Sequence, residues 1–156
     1  MSLVHDEILP ANDQYASGFT KGELPMPPAR KLAVVTCMDA RLDPAKFLGL
    51  GEGDAHVIRN AGGIVTDDAL RSLVISHNLL GTEEVLVIGH TDCGMLTFRD
   101  EDVQAKLGTD IPLHAFPDLE ARVAESVQAV RGSDLLPDRV TGFVYEVETG
   151  RLREVA

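Results

Sequence analysis

The chain has no tryptophan, only two cysteines, and aromatic residues at just 4% of its 156 positions. So few aromatic faces exclude a base-stacking platform for single-stranded nucleic acid. Positive charge is also scarce. Fourteen Lys and Arg stand against 25 Asp and Glu, a formal net charge of −11. No basic cluster interrupts that acidic field, so no nucleic-acid partner is expected. No apolar run approaches the ~20 residues of a membrane span, and no membrane partner is expected either. The opening Met1-Ser2-Leu3-Val4-His5-Asp6 lacks a basic n-region and an apolar h-region, so a secretory signal is not expected. Internal repeats and low-complexity tracts are missing too. What is present is the balance of an ordinary globular protein, 44% hydrophobic and 25% charged. At this length the expectation is a single acidic domain in the cytoplasm, burying ~70% of its unfolded surface.

Residues 1–30 carry little periodicity and include Leu24-Pro25-Met26-Pro27-Pro28. Prolines at that density cannot enter a central strand or helix interior, so the segment reads as an arm and an extended linker. A helix over 6–19 is weakened by Pro10 and Gly18. The arm is too short to fold alone and is expected to lie against the domain or a partner subunit. The domain proper is 31–156. Its runs at 32–37 and 85–88 read as buried strands and 55–59 as another strand, followed by a fourth at 142–147 and a short one at 152–155. Between them, Asp43-Pro44 starts a short helix ending near Gly49, and Thr66 caps a helix closed by Gly81. A helix is also expected to begin within 92–95, and 101–117 reads as partly loop. Leu119, Val123, Val127 and Val130 form a stripe on a further helix. Strands alternating with helices predict an α/β fold, a mostly parallel sheet covered on both faces.

Cys37 and Cys93 lie 56 residues apart. As a bare pair they could be a disulfide, two inert buried thiols, or members of a metal or catalytic site. Their neighbours bear on the choice. Strand one ends in Cys37-Met38-Asp39-Ala40-Arg41, and strand three in Gly89-His90-Thr91-Asp92-Cys93. Ligands of open α/β sheets collect at the carboxyl ends of strands. If strands one and three are neighbours, Cys37, His90 and Cys93 can converge. Two thiolates and one imidazole make a recognised catalytic zinc set with a fourth position open. Asp39 and Arg41, two apart in an extended segment, point to one side, where the guanidinium can hold the carboxylate. So held, Asp39 could orient a zinc-bound hydroxide; alternatively it could take the fourth position itself and shut the site.

Other polar residues take plainer readings. Asp92 is expected to cap a helix, and Arg59 to form a salt bridge near the sheet end. His5 and His114 read as solvated, and His56 and His77 as structural or surface residues. Gly49-Leu50-Gly51-Glu52-Gly53 reads as a turn, since it does not follow a strand as a dinucleotide loop would. Asp100-Glu101-Asp102 is a solvated or helix-starting run. No C-x-x-C motif supports thiol-redox chemistry.

The segments around Cys37 and His90, with Arg59-Asn60-Ala61-Gly62-Gly63, Val65-Thr66-Asp67-Asp68 and Leu70-Arg71-Ser72-Leu73, resemble the β-class carbonic anhydrases. The resemblance covers roughly residues 31 to 96 and is to the short members of the class. It implies reversible hydration of carbon dioxide to bicarbonate and a proton, with one Zn2+ per chain. Cys37, His90 and Cys93 match the zinc ligands, with Asp39 a further ligand in the closed form known for some members. Asp39 and Arg41 match the catalytic dyad. The turn holding Gly62 and Gly63 matches a loop lining the site, whose N–H groups could contact the product anion. The resemblance further implies a parallel core of order 2-1-3-4, an antiparallel edge strand, and a homodimer with arm exchange or a dimer of dimers. Some relatives hydrolyse carbonyl sulfide or carbon disulfide on this scaffold. A noncatalytic zinc-binding regulator, with Asp39 closing the metal, is a rival of another class.

Overall fold

The β-branched, apolar run Leu-Ala-Val-Val-Thr-Cys forms β1 (Leu32–Cys37), buried at every residue after the first. Such a run has no polar side to offer water, which suits a strand in the middle of a sheet. This computed structural model describes residues 4–156; residues 1–3 of the expected arm lie outside them. On one side β1 pairs in parallel with β2 (Ala55–Asn60), Cys37 opposite Asn60. On the other it pairs in parallel with β3 (Glu84–His90), Thr36 opposite Ile88. Next come β4 (Arg139–Tyr145), parallel to β3, and β5 (Leu152–Glu154), antiparallel to β4. The strand order is β2-β1-β3-β4-β5, which is the order the resemblance implies.

The helices are α1 (Val4–Ser17), α2 (Pro44–Leu48), α3 (Asp67–Asn78), α4 (Asp100–Leu107) and α5 (Leu119–Arg131). Asp43 caps α2 through Lys46 N, with Pro44 in the first turn and the left-handed Gly49 at the end. Thr66 caps α3 through Ala69 N, and Asp118 caps α5 through Ala121 N at 3.0 Å. The main core follows from strand alternation. Ala33 and Val35, Val85 and Val87, and Val140 and Val144 pack with Leu73 of α3 and with Val123, Val127 and Val130 of α5.

One expectation changes and two are sharpened. The helix expected within 92–95 is only a 3₁₀ turn, Gly94–Leu96, without a side-chain cap. The stretch expected to be partly loop is loop after Leu107, and its first part is α4, which starts at the Asp100-Glu101-Asp102 run and buries none of its residues. α1 continues through Pro10, where the bond lost to proline opens onto water in a helix with no buried residue. The segment after α1 is tied to the β2 side of the sheet. Lys21 Nζ pairs with Glu52 at 3.0 Å, and the amides of Ala29 and Arg30 donate to the carbonyls of Gly53 and Asp54. No helix among the described residues is long and apolar enough to cross a membrane.

Candidate metal centre

With β1 and β3 adjacent and parallel, their carboxyl ends lie side by side, placing Cys37 beside His90. The turn after β3 returns Cys93 to the same point. One donor atom each from Cys37, His90 and Cys93 lies within 4.8 Å of the others, and all three residues are buried. Both thiols are free. His90 Nδ1 lies 2.8 Å from the Thr91 carbonyl oxygen, which can only accept, so Nδ1 carries the proton. Its Nε2 is buried without a hydrogen-bond partner. Leaving such an atom bare costs about 1–3 kcal/mol, so its lone pair calls for a partner that the described residues do not provide. The separations suit an ion with bonds of about 2.3 Å to sulfur and 2.0 Å to nitrogen. Donor chemistry, spacing and the orphaned nitrogen all fit a zinc ion.

The charge state of the cluster fits as well. The Cys37 thiol is held well below its ordinary range, chiefly by hydrogen bonding from Cys93, against the opposing effect of burial. Cys93 is pushed up, because its proton is shared with the Cys37 sulfur and because it is buried. Burial disfavours the His90 imidazolium, but the nearby Cys37 thiolate and the Thr91 carbonyl outweigh it and raise the pKa. A dication held here would favour loss of the proton that the two thiols share.

Asp39 approaches this cluster from the end of β1. Its Oδ1 accepts from Arg41 N at 2.9 Å and Arg41 Nε at 3.0 Å, and its Oδ2 accepts from Arg41 Nη2 at 2.8 Å. Those hydrogen bonds hold the carboxyl well below the usual carboxylate range. Asp39 and Arg41 therefore meet as the sequence predicts. Among the described residues Arg59 does not form the expected salt bridge. Its Nε and Nη2 donate to the carbonyl oxygens of Cys37 and Asp39, both at 2.8 Å, and so fix the backbone that carries a donor and the carboxylate. The sequence holds no signal for that use, since it depends on β2 lying beside β1. Asp92 is not a helix cap either: its carboxylate and carbonyl oxygens accept from Arg41.

The turn after β2 presses against the donors. Asn60 closes it, donating from Nδ2 to Ile64 O at 2.7 Å and accepting from Ile64 N at 3.0 Å. At Gly63, with φ 62°, a Cβ would lie 2.7 Å from Cys37 N and 2.8 Å from Thr36 C. Only glycine permits that approach. The Gly62 amide serves the Cys37 sulfur, and the Gly63 amide donates to Asn60 O at 3.3 Å. Both amides have partners within the protein. Leu42, Ile64, Met95 and Phe116 complete an apolar wall around the two cysteines. Of the other histidines, His56 Nδ1 meets Ser76 Oγ at 2.7 Å and His77 Nδ1 meets Thr82 O, both away from the donors.

Fold and site together define an α/β domain with a buried Cys-His-Cys cluster, able to hold a metal, at the carboxyl ends of its central strands. Residues 32–129 match the sequence pattern of the family described as carbonic anhydrase. The chain is similar to beta-carbonic anhydrase 1 of Mycobacterium tuberculosis, 47% identical over 160 residues covering 97% of this chain and 98% of that one. It is similar in structure to a carbonic anhydrase from Glaciozyma antarctica, with TM-score 0.92, 46% identity and 100% of both chains covered. A carbon disulfide hydrolase of an Acidianus species is 39% identical over 181 residues, covering 96% of this chain and 87% of its own. The chain belongs to the β-carbonic anhydrase family of enzymes.

Proposed function

We propose that this protein catalyses the reversible hydration of carbon dioxide to bicarbonate and a proton, using one zinc ion per chain held by Cys37, His90 and Cys93. The observation that carries the reading is the position of Asp39. Its Oδ2 lies 3.7 Å from the orphaned Nε2 of His90, while Arg41 grips the same carboxylate. Zinc, when bound, supplies the Lewis acidity that makes water a nucleophile near neutral pH. The residues do the rest. An ionised carboxylate can only accept hydrogen bonds, so a reacting water beside Asp39 must donate to it and leave a lone pair free for carbon. Arg41 keeps Asp39 ionised and fixes its plane. Gly62 directs its amide to the Cys37 sulfur, and Gly63 lets the turn close there. The apolar wall of Ile64, Met95 and Phe116 suits a small linear substrate without charge.

The hydrolysis of carbon disulfide or carbonyl sulfide is the second reading, favoured by the similarity to the Acidianus enzyme. A noncatalytic regulator needs Asp39 to close the metal permanently, whereas here Arg41 engages it. Stopped-flow carbon dioxide hydration across pH, with metal content measured on the same sample, tests the proposal. One zinc per chain with rapid hydration is expected. Full metal with no hydration above about pH 8 would sink it, and sulfur substrates would then be assayed.

The same proposal includes a homodimer, or a dimer of dimers, joined through the N-terminal arm. On α1, Ile8 and Leu9 are more than half exposed, and no residue of the helix is buried within its own chain. Ile8→Glu and Leu9→Glu should therefore weaken self-association in sedimentation velocity while leaving each protomer folded. A cytoplasmic location belongs to it too, because the two thiols must remain reduced to serve as ligands.

A further inference from the structure

Asp92 stands between two of the donors, His90 and Cys93, with its backbone in the left-handed region at φ 53°. That conformation is uncommon for a residue bearing a Cβ, though Asp adopts it more readily than most. The turn brings two acceptors of one residue onto one guanidinium. Arg41 Nη1 donates to Asp92 Oδ2 at 2.9 Å, and Arg41 Nη2 donates to the Asp92 carbonyl oxygen at 2.9 Å. The same guanidinium donates from Nε and Nη2 to Asp39. Arg41 is therefore gripped on one flank by the carboxylate beside the donors and on the other by the turn that carries two of them.

As an isolated ion pair this contact would count for little. The Asp92 side chain is 77% exposed and that of Arg41 48%, and such pairs add little to stability. Its effect must come through geometry. A cleft of about 800 Å³ opens beside Arg41, lined also by Asp92, Glu146 and Glu148. Among the described residues Arg41 pairs with Asp39 and Asp92, and with neither glutamate. Without the Asp92 carboxylate, a long and flexible side chain would face two other carboxylates across that cleft, and its hold on Asp39 would loosen.

We infer that Asp92 is a positioning residue, whose carboxylate and carbonyl fix Arg41 and through it hold Asp39 beside Nε2 of His90. The inference rests on the proposed hydration reading of the site and extends it to a residue outside the dyad. Asp92→Gly removes the carboxylate but accepts the positive φ and keeps the carbonyl, whereas Asp92→Asn keeps a neutral acceptor as well. In the full-length, zinc-loaded protein, Asp92→Gly should lower kcat about tenfold, with KM within about twofold and zinc content equal to the parent. Asp92→Asn should recover part of the loss.

A second readout needs no turnover. In ¹⁵N-labelled protein the Arg41 Nε–H resonance, from the group that donates to Asp39, should shift and exchange faster with water in Asp92→Gly. It should return toward the parent position in Asp92→Asn. An Arg41 resonance identical in parent and Asp92→Gly overturns the inference, and so does an unchanged kcat. A parent protein that does not hydrate carbon dioxide overturns the proposed function instead, and the Arg41 resonance then still decides the case for Asp92.

Discussion

Asp39 Oδ2 stands 3.7 Å from His90 Nε2 and is restrained there by a 2.8 Å hydrogen bond from Arg41 Nη2. The carboxylate is thus beside the donor cluster without being the protein's partner for it. Asp39→Asn keeps the size of the side chain but removes its charge and part of its accepting capacity. Zinc content should stay near that of the parent, while kcat for hydration falls by about 100-fold. Metal analysis and stopped-flow rates on one sample check both halves.

The donors themselves should behave differently. Cys37→Ser and Cys93→Ser each replace a sulfur buried against an apolar wall with a harder, less acidic oxygen. Zinc occupancy should drop sharply in both, and hydration with it. Chelation of the parent should abolish activity, and added zinc should restore it. Normal activity in both serine variants would remove the site assignment.

Gly63 makes a stability prediction that is independent of the chemistry. A Cβ there meets backbone atoms of β1, which cannot move aside, and the φ of 62° adds strain. Gly63→Ala should destabilise the protein by about 3 kcal/mol or more in denaturant unfolding. Gly94 is the control. A Cβ there has open space around it, and its φ is not in the left-handed range, so Gly94→Ala should be close to neutral.

Asp100 predicts the acid limb of stability. Its carboxylate accepts from the amides of Ala115, Leu113 and His114, at 2.8, 2.9 and 2.9 Å, and these bonds hold its pKa below the ordinary value. A group whose pKa is lowered by folding adds stability above its unfolded value and loses it as pH falls through the folded one. Asp100→Asn should therefore melt at a lower temperature than the parent above about pH 5. The gap between the two should shrink as the carboxylate is protonated. A gap of constant size across the acid range would argue against this account.

Much of this site is legible in the sequence because strand ends are legible. The continuous apolar runs at β1 and β3 place Cys37 and His90 at carboxyl ends, and H-x-x-C brings in Cys93. The caps Asp43 and Thr66 and the valine stripe of α5 follow from local rules that tertiary contacts do not override. The order β2-β1-β3-β4-β5 came from the family resemblance, since periodicity alone does not choose neighbours. What the sequence hides is the work done between elements. Arg59 reaches carbonyls on a neighbouring strand, and Asp92 turns toward Arg41 because its backbone is left-handed, where a capping residue would be extended. The readiness of Asp for that conformation is a local signal that could have found it. α4 was hidden for another reason: a helix that buries nothing leaves no stripe.

Cys37 and Cys93 are 56 positions apart along the polypeptide, yet their sulfurs belong to one cluster. An ion joining them cross-links the chain, and closing a loop of that length removes freedom from the unfolded state worth on the order of 4 kcal/mol. That is a large part of the total stability of a domain this size. Loading would then determine how long the molecule survives as well as how fast it works, and a cell starved of the metal would lose the protein to proteolysis along with its activity.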